Sequence, residues 1–313
     1  MTLADPAPLS WGVIGASSWV AVKAVIPAIV GSPKARLVAV ASQSANAPPS
    51  ADGLRTYRSY AALLDDPDVE AVYVPLPNSL HRTWVERAAL AGKHVLCEKP
   101  LAPTAADAAA MASASAAAID ALVRGGRLGD LRFARAAFTG VLDRPDDHRW
   151  RPDMGGGALL DVGIYCVAPL LVAAGRPPVR VEAAASMAAS GVDASFSGWL
   201  DFGGGFTAAI ECSFDAPERQ SLELVGTEAA VLVDRAFTPG PEDVAFALRG
   251  RDGRVHEVVT GGADPYRTMI DHCHEVVRDG VTPRRSAADA IAVLAVLDRL
   301  RQAAGLGGQC GCS

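Results

Sequence analysis

Aromatic residues are scarce in this sequence, at 6%, although half of all residues are hydrophobic. Much of the hydrophobic half is alanine and valine, which suits helices packed closely on a sheet. Positive charge is not in excess either: 29 Lys and Arg stand against 35 Asp and Glu, a formal net charge of −6. Without a Lys/Arg-rich face the chain lacks the footprint that phosphate-backbone binding needs, so no nucleic acid partner is expected. Residues Met1–Ser10 contain no basic region followed by an apolar core, so no signal peptide is expected. Apolar runs such as Tyr165–Ala174 and Ile291–Leu297 fall short of a bilayer span, and no membrane partner is expected. The six cysteines, Cys97, Cys166, Cys212, Cys273, Cys310 and Cys312, include no CxxC pair, and the last two lie in a Gly-rich tail. Four sit inside apolar segments, as reduced cytosolic thiols do. A soluble cytoplasmic protein with no metal site is the expectation.

What is present is enough for about two domains. The first third alternates strand and helix patterns. Leu9–Ile14, Arg36–Ala41, Ala71–Val74 and His94–Cys97 read as short buried strands, with helices over residues 20–30, 79–91 and 104–118. Such runs predict a parallel sheet covered on both faces. Beyond residue 120 the pattern changes to period-two segments: 131–139, 180–188, 194–202, 206–214, 221–225 and 230–233. These predict a mostly antiparallel sheet, accompanied by helices over 158–174, 266–278 and 287–304. The predicted class is α/β, a doubly wound domain over 1–119 and an α+β domain with an open sheet over 120–313.

Four segments carry chemistry. Gly12-Val-Ile-Gly15-Ala16-Ser17-Ser18-Trp19-Val20 stands between the first strand and helix, where a dinucleotide fingerprint belongs. Gly15 can make the tight turn, and the helix start can receive a pyrophosphate. The full GxGxxG is absent, since Ser17 and Val20 occupy the later glycine positions. After the second strand, an acid would select NAD and an arginine NADP; Ser42-Gln43-Ser44 is neither and serves a 2′-hydroxyl, a 2′-phosphate or only a loop. Pro75-Leu76-Pro77-Asn78-Ser79-Leu80-His81 follows the third strand at the ligand-binding edge, with Asn78 a candidate helix cap. Glu98-Lys99-Pro100 puts a lysine at the end of the fourth strand, either solvated or at work. Finally, Gly155-Gly156-Gly157 leads into a largely apolar helix bearing Asp161 and Tyr165 at i, i+4, so a carboxylate there needs a partner or a task.

Together, WGVIG, YAALLDDPDVEAVYVPLPNSLH, AGKHVLCEKPLA, RWRPDMGGGALLDVGIYCV and DRAFTP resemble the glucose-fructose oxidoreductase / inositol dehydrogenase (Gfo/Idh/MocA) family. The combination of EKP with GGGxLxDxGxY is specific, and the resemblance runs in order over most of the chain. It implies a Rossmann domain followed by an α/β domain with an open sheet. It implies hydride transfer between a nicotinamide cofactor, NADP or NAD with a lean to NADP, and a CH–OH/C=O carbon of a sugar, polyol or dihydrodiol. By position, Lys99 is the active-site lysine, Asp161 the substrate-binding aspartate and Tyr165 the acid/base residue, as in the dihydrodiol dehydrogenase and sugar ketoreductase branches. Gly15, Ala16, Ser17, Ser18, Trp19, Ser42, Gln43, Tyr60, Leu76, Asn78, His81, Glu98 and Lys99 match cofactor-contacting segments. Trp150 and Arg151 match the substrate side. A homodimer or homotetramer is implied as well, because an open sheet face is commonly buried against another subunit.

The chain is short for this plan. Ala116–Ala118 runs directly into Ile119 and Asp120, where the family inserts a further strand and loop. That shortfall supports a second reading, a nicotinamide-binding sensor or subunit partner with weak turnover.

Overall fold

The computed structural model describes residues 6–43, 53–99, 122–238, 241–283 and 287–306. The chain forms two compact units, Met1–Met111 with Asp264–Ala287 and Ala112–Ala263 with Ala288–Ser313. The helix expected over 104–118, the Lys99–Pro100 junction, Ser44, the shortened segment after Ala118 and the Cys310/Cys312 tail lie outside the described residues.

In the first unit, β1 (Leu9–Ile14), β2 (Ala35–Ala41), β3 (Arg55–Tyr57), β4 (Ala71–Val74) and β5 (His94–Cys97) form a parallel sheet in the order β3-β2-β1-β4-β5. All six residues of the central β1 are buried, which is why its sequence is a continuous run instead of an alternation. Helices α1 (Ile26–Gly31), α2 (Tyr60–Leu64) and α3 (Asn78–Leu90) accompany these strands. A π turn, Ala21–Val25, precedes α1.

The second unit is built on eight strands: β6 (Leu131–Val141), β7 (Arg180–Met187), β8 (Asp193–Asp201), β9 (Thr207–Ser213), β10 (Asp215–Gly226), β11 (Ala229–Asp234), β12 (Val244–Gly250) and β13 (Val255–Thr260). Their order is β13-β12-β11-β10-β6-β9-β8-β7, antiparallel except for the β6–β9 pair. Helix α4 (Ile164–Ala174), preceded by a second π turn at Leu159–Gly163, packs on β6 and β9 with Ile164, Cys166, Val167 and Leu170 buried. Over Pro152–Ala174 mean hydropathy reaches 1.9 in the most apolar window, but the stretch is broken at residues 155–157, before the π turn. Its apolar character is spent on the sheet beneath it.

The chain then returns to the first unit through α5 (Pro265–Arg278), and α6 (Ala287–Ala303) follows. The compact units thus divide after Met111, with Asp264–Ala287 grouped in the first, where the sequence reading gives a division at 119/120. Met269 and Ile270 of α5 join the core of Leu9, Trp11 and Val13. Polar contacts fasten the same helix: Arg278 Nη2 donates to both oxygens of Glu70 at 2.6 and 2.7 Å, and Lys34 Nζ to Glu275 at 2.9 Å. Ser32 bonds Asp271, and Arg267 bonds the Gly31 carbonyl.

Candidate active site

The loop after β1 is shaped by Gly15, whose φ is +68°, and a Cβ there would lie 2.6 Å from Leu76 Cδ2. Only glycine lets the backbone turn this tightly against Leu76. Behind it, Ala16 N bonds Ala41 O at 3.0 Å and Ser18 Oγ accepts from Ala21 N at 3.2 Å, at the start of the π turn. Ser17 and Trp19 are exposed. Ser42 is buried and bonds Ser17 Oγ at 3.1 Å, while Gln43 is exposed. A backbone-lined turn with hydroxyls at a helix start fits the pyrophosphate and ribose of a dinucleotide.

Two of the expected cofactor residues, His81 and Tyr60, are buried and also make contacts within the fold. His81 has no exposed surface, and its Nε2 lies 2.6 Å from Leu76 O, so it holds the Pro75–Asn78 loop from behind. Tyr60 is buried with its ring edge-on to Trp84 at 5.0 Å; burial raises its phenol pKa, opposed by a bond from the Gln43 backbone. Asn78 opens α3 without capping it, since the capping position is Pro77, which has no side-chain hydrogen bond to offer.

Glu98 and Lys99 leave β5 half-buried. The Glu98 carboxylate accepts from Tyr73 Oη at 2.5 Å and from Lys99 N at 3.2 Å. Burial, with Glu98 next in importance, pushes the Tyr73 phenol far up, so it stays protonated and donates. Tyr266 of α5 also feels Glu98 and Lys99, though burial is the main reason its pKa is raised. Glu98 therefore steadies the peptide that presents Lys99.

In the second unit the triple glycine lets the chain double back. Gly157 N bonds Arg149 O at 2.9 Å and Gly156 N bonds Arg151 O at 3.0 Å. This fold-back brings Arg149 over the helix start, with Nη1 3.5 Å from Asp161 Oδ2. Asp147 grips the same guanidinium from the other side, accepting from Nε and Nη2 at 2.9 Å each. Burial alone would push the Asp147 carboxyl up, but the bonds from Arg149 outweigh it and hold it at about 2. Arg151, expected on the substrate side, is exposed and paired with Asp153. Asp161 lies in the π turn and Tyr165 in α4, so the i, i+4 spacing does not translate into one regular α-helical face.

Tyr165 is half-buried among aromatic rings, with Phe138 at 5.4 Å and Phe237 at 6.2 Å between centroids. Phe138 and Phe237 stack on each other at 5.7 Å. Trp150 packs edge-on to Phe214 at 5.3 Å. Phe237 is delivered by a tight turn in which Arg235 has φ 51° and Gln220 bonds both the backbone and the hydroxyl of Thr238.

The family description "Oxidoreductase family, NAD-binding Rossmann fold" matches residues 9–122, and "GFO/IDH/MocA C-terminal domain" matches residues 116–232. The chain belongs to the Gfo/Idh/MocA oxidoreductase family. A D-xylose 1-dehydrogenase (NADP(+)) of Haloferax volcanii is 32% identical over 320 residues, covering 96% of this chain and 98% of the relative. A dTDP-3,4-didehydro-2,6-dideoxy-α-D-glucose 3-reductase of Streptomyces violaceoruber is 34% identical, covering 94% and 95%. Among solved structures, the 3-ketoreductase KijD10 of Actinomadura kijaniata, in complex with NADP and TDP-benzene, superposes with a TM-score of 0.85. It is 26% identical, with coverage of 95% of this chain and 98% of that one. As a Gfo/Idh/MocA member the chain is an oxidoreductase with a Rossmann unit.

Sequence reasoning missed Arg149, Phe138 and Phe237. DRAFTP signalled Phe237 without suggesting its task. Nothing in the sequence separated Arg149 from Arg151, because the fold-back that chooses between them is three-dimensional.

Proposed function

We propose that this protein is an NADP(H)-dependent sugar oxidoreductase that transfers hydride between the nicotinamide and a CH–OH/C=O carbon of a sugar, free or nucleotide-linked. The observation that carries the reading is the start of the second unit's helix, where Asp161 faces the clamped Arg149 and Tyr165 lies in an aromatic wall. A carboxylate held by a cation suits the hydroxyls of a polyol, and apolar rings suit the C–H face of a sugar ring. The relatives named as NADP enzymes support the cofactor choice. So does the end of β2, where neither Ser42 nor Gln43 is an acid that would repel a 2′-phosphate.

In this reading, Gly15–Trp19, Ser42, Gln43, Leu76 and Asn78 hold the dinucleotide, with His81 and Tyr60 supporting that loop set. Glu98 steadies Lys99. Oxidation removes a proton from the substrate hydroxyl as hydride leaves its carbon, and reduction returns both. The phenol of Tyr165, ordinarily near pKa 10, needs a cation to act near neutrality, and Lys99 is assigned that work along with stabilising the developing alkoxide. Asp161 orients the sugar by accepting from a hydroxyl, and Trp150 lines the same side. Buried thiols outside any disulfide at Cys97, Cys166 and Cys212 suit a cytoplasmic setting. The relatives' names give the binding-only sensor reading no support.

The test is a titration with NADPH and NADH by fluorescence, followed by a screen of D-xylose, other aldoses, dTDP-linked keto-sugars and dihydrodiols through the absorbance of reduced nicotinamide. Turnover of a sugar that is abolished in Lys99→Met, with NADPH binding retained, is expected. Tight NADPH binding without turnover across all classes would return the sensor reading, and full kcat in Lys99→Met would remove that lysine from the chemistry.

A further inference from the structure

The π turn that carries Asp161 has no side-chain cap of its own, since the residue before it is Ala158. A carboxylate from a different element does that work. Asp193, the first residue of β8, is 6% exposed, and its Oδ2 accepts from Leu159 N at 2.6 Å. The Ala158 backbone and Asp193's own backbone also bond this carboxylate. The approach is close enough that a Cβ on Gly157, where φ is +118°, would overlap Asp193 Oδ1. The third glycine of the triple is thus the counterpart of Asp193.

A cap from the adjacent residue satisfies N–H groups but leaves a helix free to roll on its support. A cap from a strand 34 residues away ties the helix start to the sheet itself. We propose that Asp193 is a positioning residue of this enzyme, setting the height and rotation of the turn from which Asp161 and Tyr165 project. The proposal rests on the roles given to Asp161 and Tyr165 above.

Burial lifts the Asp193 carboxyl to about 6, so the anchor is partly protonated at mildly acid pH. The other titratable groups around it are Arg301 of α6, which opposes the lift, and the Cys212 thiol of β9. Burial keeps that thiol neutral, and it also senses Asp161. Loss of the Asp193 charge weakens a charge-assisted acceptor at the helix start.

The chain holds five tyrosines, so tyrosine labelled with 13C at Cζ gives a simple spectrum in which Tyr165→Phe identifies one line. In the wild type that line is expected to move with an inflection near pH 6. In Asp193→Asn it is expected to be displaced, with the inflection gone. On the sugar and NADP(H) pair found active in the screen, kcat of Asp193→Asn is expected to fall by about a hundredfold, with the KM for the cofactor unchanged. A lower Tm with faster exchange of the Leu159 amide, but an unmoved Tyr165 line and intact kcat, would make Asp193 a stabilising cap only and overturn the proposal. Should the variant not fold, the wild-type titration decides alone, and a Tyr165 line without the inflection overturns it. Full kcat in both Asp161→Asn and Tyr165→Phe would instead defeat the roles on which the proposal rests, whatever the Tyr165 line does.

Discussion

Gly15 and Arg149 differ in how openly the sequence displays them. Gly15 was legible because a strand, a glycine and a helix in that order leave one conformation for the turn, and its φ of +68° against Leu76 is the physical reason. Gly15→Ala is expected to cost about 1–3 kcal/mol and to weaken NADPH binding, as read by urea denaturation and cofactor titration. Arg149 was not legible, because its value comes from the hydrogen bonds that fold Arg149–Gly157 back on itself. Arg149→Met leaves Asp147 and Asp161 without their shared cation. A loss of about 1.5–3 kcal/mol of transition-state stabilisation is expected, seen as a fall in kcat/KM for the sugar with the cofactor KM unchanged. Arg151→Met, removing an exposed ion pair, is expected to change little. His81 carries a feature the sequence does not display: its Nε2 lies 2.6 Å from the Leu76 carbonyl oxygen, tying the ring to the loop ahead of it.

Strands were read best where both faces are buried or where alternation is strict. The four longer strands of the first sheet emerged with ends within a residue or so of their final places, whereas the three-residue β3 was too short to give a pattern. β12 and β13 were missed because their exposed ends blur the alternation. The π turns at Ala21–Val25 and Leu159–Gly163 leave no periodic signal, since one wide turn is shorter than any window that could reveal it. Both follow a loop assigned to ligand binding, a setting where such turns recur. Asp193 gives the second of them a pH signature. Its folded pKa is raised from 3.8 to about 6, so this group favours the folded state below its unfolded value and loses that contribution as pH rises through 6. Across that window the wild type is expected to lose stability relative to Asp193→Asn, measurable as converging or crossing urea midpoints. The Glu70–Arg278 pair that fastens α5 runs the other way. Burial opposes it, but Arg278 and the Ser10 backbone hold the Glu70 pKa below 4.5, so its stabilisation is present above that value and lost on acidification. Because the pair is partly exposed, Arg278→Met is expected to cost about 1 kcal/mol at most near neutrality, and less in acid.

At the scale of the whole molecule, strand register brings several exposed apolar side chains onto one face of the large sheet, interspersed with Arg135, Glu211, Glu223 and Glu257. Pairings Arg135↔Glu223, Glu223↔Leu232, Leu232↔Ala247 and Ala247↔Glu257 put Phe133, Leu232, Val255 and Val259 on the same side. Phe133 is 62% exposed and Val259 57%. A second copy of the chain is the proposed occupant, and Phe133→Glu combined with Leu232→Glu is expected to lower the mass measured by light scattering while sparing cofactor binding. The path of the chain carries a different consequence. Because α5 belongs to the first unit while residues on either side of 264–287 belong to the second, neither unit is a contiguous piece of gene. A fragment ending at residue 119 would lack Met269 and Ile270 from its core and the partners of Glu70 and Lys34. Recombination with a relative therefore needs three crossovers, one near residue 111 and two flanking 264–287, for the nucleotide unit to be inherited whole. A single breakpoint yields two incomplete cores, a barrier that would keep the halves of such a chain travelling together.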